Sequence, residues 1–141
     1  MSIKKNESSE EVSNKILIVE DEDALASVLS SKFQLAGFSV LVAVDGEDGL
    51  NKIGTFQPDL ILLDIILPKM DGFEILKTIK ADKNLKNIPV ILLTNLSQKD
   101  EVKKGLDLGA NDYLIKAHYM PSEVINKVKK ILAEASQKEK K

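Results

Sequence analysis

Leu60-Ile61-Leu62-Leu63-Asp64-Ile65-Ile66-Leu67-Pro68-Lys69-Met70-Asp71-Gly72 decides the fold of this chain. Four successive apolar residues with no polar alternation suit a parallel strand covered on both faces. The run then meets a carboxylate, Asp64, and a turn marked by Pro68 and Gly72. A carboxylate at that point stands where a central strand stops, and open α/β sheets place their chemistry at that rim. Upstream, Ile16-Leu17-Ile18-Val19 repeats the pattern and runs into Glu20-Asp21-Glu22-Asp23. Downstream, Val90-Ile91-Leu92-Leu93 runs into Thr94, and Asp112 to Ile115 runs into Lys116.

Amphipathic stretches fill the gaps. The spacing predicts strands at Lys15–Glu20, Ser39–Val44, Leu60–Leu63, Val90–Leu93 and Asp112–Ile115. Helices are expected at Asp23–Ala36, from Asp45-Gly46 to about Ile53, at Phe73–Lys80, at Gln98–Leu108, and from Pro121 through Leu132. Asp23 is the expected N-cap of the first helix, with Leu25, Val28, Leu29 and Phe33 toward the core and Gly37 as its stop. Pro121 suits a helix start, where its missing N–H costs nothing. Strict alternation of strand and helix predicts an α/β fold with a doubly wound, five-stranded parallel sheet and right-handed crossovers. All strands then point their carboxyl ends to one rim. That rim would carry Glu20, Asp21, Asp64, Thr94 and Lys116.

Composition narrows the function classes. The chain has 141 residues, which fits one domain, expected over 15–133, with a flexible tail over 1–14 and a charged tail over 134–141. A net charge of −2 provides no global basic field for nucleic acid. The absence of cysteine removes disulfides, thiolate metal sites and thiol nucleophiles together. No stretch approaches the roughly 20 apolar residues that span a bilayer, and the polar start lacks a signal-peptide core. A cytoplasmic protein without membrane insertion and without direct nucleic-acid binding is expected.

The rim residues suggest one chemistry. Mg2+ takes one or two carboxylates together with waters and substrate phosphate oxygens. Asp21 and Asp64 are suited to ligate it, with Glu20 binding directly or through water. Without a cation, neighbouring carboxylates repel and raise one another's pKa. A carboxylate can also attack phosphorus and form an aspartyl-phosphate. Phosphoryl transfer then asks mainly for positioning and charge neutralisation, which an ammonium and a hydroxyl supply.

Four segments carry a family resemblance: Val19-Glu20-Asp21-Glu22; Leu62 through Gly72; Leu92-Leu93-Thr94; and Gly109-Ala110-Asn111-Asp112-Tyr113-Leu114-Ile115-Lys116. Together they resemble the response-regulator receiver domain of bacterial two-component signalling, over about Lys15 to Leu132. The resemblance implies a flavodoxin-like strand order, 2-1-3-4-5. It implies that Asp64 is the phospho-acceptor and that Glu20, Asp21, Asp64 and the backbone carbonyl of Ile66 surround Mg2+. Thr94 and Lys116 would each hold a phosphoryl oxygen. Thr94 and Tyr113 would form the switch, the aromatic turning inward as the threonine moves. The implied protein is a stand-alone, chemotaxis-regulator-like switch that catalyses only its own phosphorylation and dephosphorylation. Its implied partners are a sensor histidine kinase or a histidine phosphotransfer protein, and a downstream protein.

Two readings compete with a binding switch. One is a phosphorelay shuttle that passes its phosphoryl group to a histidine phosphotransfer protein, and the other is a phosphorylation-silent interaction module. A haloacid-dehalogenase-like phosphatase would need a second acid two residues after the nucleophile, where this chain has Ile66. Departures from the family pattern are Ala117 in place of the proline that usually follows the lysine, and Asn95 where a small residue is favoured after the threonine. A cis Lys116–Ala117 bond without proline would cost about 2.5–4 kcal/mol. Ile66 and Leu96 are apolar and cannot orient a water, so slow self-dephosphorylation is expected. Ordinary roles are expected for Asp71 as a helix cap, for Glu22 and Asp23 as first-turn acids, for His118 as a loop residue, and for Lys127, Lys129 and Lys130 as a solvated helix face.

Overall fold

The structure, a computed structural model, describes residues 14–94, 99–116 and 120–139. Its strands are β1 (Lys15–Val19), β2 (Ser39–Ala43), β3 (Leu60–Asp64), β4 (Val90–Thr94) and β5 (Asp112–Ile115). The helices are α1 (Asp23–Leu35), α2 (Gly46–Phe56), α3 (Gly72–Ala81), α4 (Lys99–Asp107) and α5 (Pro121–Glu139). All strand pairs are parallel, in the order β2-β1-β3-β4-β5. This is the doubly wound α/β sheet that the apolar runs predict. Asn95, Leu96, the Lys116–Ala117 bond and His118, on which several expectations turn, lie outside the described residues, as do residues 1–13.

The pleat sends alternate residues to opposite faces. Leu17, Val19, Ile61, Leu63 and Leu92 pack with Ile53 of α2 and with Phe73, Ile75, Leu76 and Ile79 of α3. Ile16, Ile18, Leu60, Leu62 and Leu93 pack with Leu29 and Phe33 of α1 and with Val124, Val128 and Ile131 of α5. Because both faces are covered, β1, β3 and β4 read as unbroken apolar runs. The register pairs Val19 with Leu63, Asp64 with Leu93 and Thr94 with Ile115. The carboxyl ends of four strands therefore meet at one rim.

Helix ends correct several expectations. Glu22, not Asp23, is the N-cap residue of α1, and it makes no side-chain cap bond. Asp23 is instead the first helical residue, where the dipole favours an acid. Val28 is 45% exposed, because the buried stripe runs through Ala26, Leu29 and Phe33 and leaves Val28 outside it. Gly37, at φ +99°, donates its N–H to Gln34 O (3.0 Å) and turns the chain out of α1.

Asp45 caps α2 by accepting from Asp48 N (2.8 Å). That helix continues past Ile53 to Phe56 and ends at Gln57 in the left-handed region. Asp71 caps α3 through Glu74 N (3.0 Å), as expected. α5 runs on through residues 134–139 beyond its apolar stripe. Lys127 is not simply solvated: its Nζ lies 2.8 Å from Asp112 Oδ2 and ties α5 to β5.

At the amino rim, Asp59 clasps the start of β1. It accepts from Lys15 N (2.8 Å) and Asn14 Nδ2 (3.4 Å), and its own N–H donates to Lys15 O (2.7 Å). Among the described residues no helix is long and apolar enough to cross a membrane.

Candidate functional site

The carboxyl rim is built by strand ends and held by backbone. β3 delivers Asp64 and β1 delivers Glu20, and both are buried with Thr94 from β4. Glu20 N donates to Ala43 O (2.9 Å), which keeps the chain in register one residue beyond β1. Glu22 N–H turns back to Glu20 Oε2 (3.0 Å). The loop after Asp64 closes tightly, with Ile66 N donating to Asp64 Oδ1 (3.2 Å) and Gly72 N to Ile65 O (2.6 Å). Only glycine fits at 72: a Cβ there would overlap Asp64 O and come within 2.6 Å of Ile65 Cα.

Lys116 reaches across the rim from the end of β5. Its buried Nζ lies 2.8 Å from Glu20 Oε1, 3.0 Å from Asp64 Oδ2 and 3.5 Å from Glu22 Oε1. One ammonium thus serves three carboxylates. Asp21, exposed beside them, completes a set in which Glu20, Asp21 and Asp64 each offer an oxygen within 4.8 Å of the others. Negative charge exceeds positive charge in a partly desolvated space. Burial, reinforced by the Asp64 charge, lifts the Glu20 carboxyl above its ordinary value, against the Lys116 ammonium and the Glu22 N–H. Burial pulls Lys116 down, but its contacts with the Glu20 and Asp64 carboxylates outweigh burial and raise it overall.

Glu20 Oε1 tests whether a divalent cation fits. This atom is buried and has no hydrogen bond, because the Lys116 contact is an ion pair without hydrogen-bond geometry. A buried carboxylate oxygen normally has its bonds filled. An open lone pair beside two further carboxylates suits a hard cation with oxygen ligands. The donor set contains oxygen alone, in keeping with Mg2+ rather than a softer metal.

The structure brings together Glu20, Asp21, Asp64 and Lys116, and places buried Thr94 one register position beyond the Leu93 partner of Asp64. Tyr113 is half-buried against the core on the α2/α3 side and pairs with Leu92, two positions short of Thr94. Ile66 shows its N–H to Asp64 and a 61% exposed side chain to the outside. The reading of Glu22 as only a first-turn acid missed its contact with Lys116. The contact follows from the turn that folds Glu22 N–H onto Glu20, and helix-end chemistry alone does not show it.

The chain matches the family model described as "Response regulator receiver domain" over residues 16–129. It is 40% identical over 121 residues to the alkaline phosphatase synthesis transcriptional regulatory protein PhoP of Bacillus subtilis, covering 86% of this chain and 49% of that protein. It is 39% identical over 118 residues to the DNA-binding dual master transcriptional regulator RpaA of Synechocystis, covering 84% and 48%. The chain therefore spans about half the length of these curated relatives. A CheY-like response regulator receiver domain protein from Methanospirillum hungatei superposes with a TM-score of 0.82 at 30% identity, over 89% of this chain and 98% of that one. The receiver domain of the Francisella response regulator 1452 gives 0.79 at 32%, over 86% and 98%. With its sheet order, its acidic rim and a family match that spans most of its length, the chain belongs to the response regulator receiver domain family.

Proposed function

We propose that this domain is a phosphorylation switch in which Asp64 accepts a phosphoryl group from a phosphohistidine of a sensor histidine kinase or a histidine phosphotransfer protein. An Asp64 oxygen forms the new bond to phosphorus, the phosphorus–nitrogen bond breaks, and the imidazole leaves with its electron pair. Glu20, Asp21, Asp64 and the Ile66 carbonyl would hold Mg2+, which would supply charge neutralisation for the transferring group. Lys116 pairs with one phosphoryl oxygen and Thr94 donates to another. The protein acts on itself and turns over no separate substrate. The observation that carries this reading is the Asp64–Lys116–Glu20 triad, a reactive carboxylate oriented by an ammonium beside a buried carboxylate oxygen with no hydrogen bond.

The output is a change in binding at the surface formed by α4, β5 and α5, driven by movement of Thr94 and Tyr113. The test is phosphate incorporation from a small acyl-phosphate donor with Mg2+. Wild type should gain one base-labile, acid-stable phosphate, and Asp64→Asn none. Label that persists in Asp64→Asn would mean that another residue is the acceptor.

A further inference from the structure

Lys116 and a divalent cation need the same carboxylates. Its ammonium sits 2.8 Å from Glu20 Oε1 and 3.0 Å from Asp64 Oδ2, and both residues belong to the set whose oxygens converge within 4.8 Å. A dication that draws both carboxylates to itself weakens their hold on the ammonium and repels it. A buried ammonium deprived of its partners is costly, so metal entry is opposed unless the ammonium has another anion in reach. Glu22 is that anion. Its Oε1 is already 3.5 Å from Nζ, and its side chain is 55% exposed and so free to follow the ammonium. Its backbone is fixed by the N–H to Glu20 Oε2, and its side chain has no capping duty in α1. Glu22 is outside the converging metal set, so its charge remains available when that set is engaged.

We propose that Glu22 is a positioning residue that receives the Lys116 ammonium when a divalent cation takes Glu20 and Asp64, and so sets how readily the metal enters. This rests on the reading above that the acidic set holds Mg2+. Glu22 acts through Lys116 and does not ligate the metal. A lysine stem with several rotatable bonds can make the short transfer without rearranging β5.

The experiment is Mg2+ titration calorimetry of the whole chain at fixed ionic strength, a binding readout that needs no phosphoryl donor. Glu22→Gln should weaken Mg2+ binding about fivefold, or about 1 kcal/mol at 25 °C. Asp23→Asn removes the same charge one residue further on, from an exposed position, and should weaken binding less than about twofold, as expected for a screened charge. In a Lys116→Met background the two substitutions should have equal effects, because no ammonium remains to receive. Equal weakening by Glu22→Gln and Asp23→Asn in the otherwise native chain overturns the proposal and leaves the metal reading intact. So does a full Glu22→Gln effect that survives in Lys116→Met. If Lys116→Met does not fold, the two single variants decide alone. Absence of any Mg2+ binding by the unsubstituted protein overturns the metal reading and this proposal with it.

Discussion

Helices α3 and α4 lie against the same face of the sheet and are held in opposite ways. α3 buries Phe73, Ile75, Leu76 and Ile79 along one stripe and carries a side-chain cap, Asp71. α4 presents Lys99-Asp100-Glu101-Val102-Lys103-Lys104-Gly105-Leu106-Asp107, and between Asp100 and Asp107 only Gly105 is buried. Gly105 lets the α4 backbone approach β4 so closely that a Cβ would overlap Leu92 Cδ1. Lys104 then lays its ammonium 4.5 Å from the Phe73 ring centre. α3 is bound by apolar area, and α4 by one close approach and one cation over an aromatic face. Local stability follows buried apolar contact. The lightly held helix therefore follows the end of β4 at Thr94, and the heavily held one anchors the loop that follows Asp64.

Paired truncations should show the largest effect. Leu76→Ala should lower the unfolding free energy by about 2–5 kcal/mol, as for a fully buried leucine. Leu106→Ala, at 40% exposure, should cost less than about 1 kcal/mol. Urea unfolding followed by circular dichroism measures both, and similar losses would dissolve the distinction between the helices. A smaller effect is expected at the link between them. Lys104→Gln should cost about 0.5–1 kcal/mol and speed amide exchange in α4 while leaving α3 protected. Equal acceleration in both helices would show that they open as one unit.

The smallest effect concerns pH. Burial holds the Lys80 ammonium on α3 below its ordinary value of 10.5. The folded state therefore releases that proton before the unfolded chain does. Between the depressed folded value and 10.5 the unfolded state binds more protons, so this group's contribution to stability rises with pH. Below that window Lys80 carries its full penalty, offset by hydrogen bonds to Lys86 O (3.0 Å) and Ile88 O (2.9 Å). Lys80→Met should flatten the rise in unfolding midpoint on the alkaline side. An unchanged slope would assign the rise to another group.

Residues that speak for themselves were the legible ones. Leu60 to Leu63 and Val90 to Leu93 admit little but a strand covered on both sides, and two such runs with interleaved amphipathic segments imply the parallel sheet. Asp64, Glu20 and Lys116 were legible because strand ends in that architecture converge, whatever their separation in the chain. Helix ends were less legible. Asp23 has a capping side chain, but the cap position fell one residue earlier, on Glu22, whose side chain makes no cap bond and turns to Lys116 instead. Val28 fitted an apolar pattern that the sheet did not use. The Lys116–Glu22 contact was hidden because it depends on a turn geometry and a lysine rotamer. The close approach of Gly105 to Leu92 arises only once α4 is docked, so the helix pattern over Gln98–Leu108 did not show how lightly that helix is held.

The Asp59 clasp on Asn14 and Lys15 has a consequence for handling the molecule. It fixes the point where the chain enters β1, at the rim opposite Asp64. A strand of five residues rises about 3.3 Å per residue, or roughly 16 Å in all. A fluorophore or surface tether attached at Asn14 itself would therefore sit at the end of the sheet away from Asp64. Immobilised that way, the protein would present its acidic rim to solution, and a captured partner could be read optically without steric interference from the support.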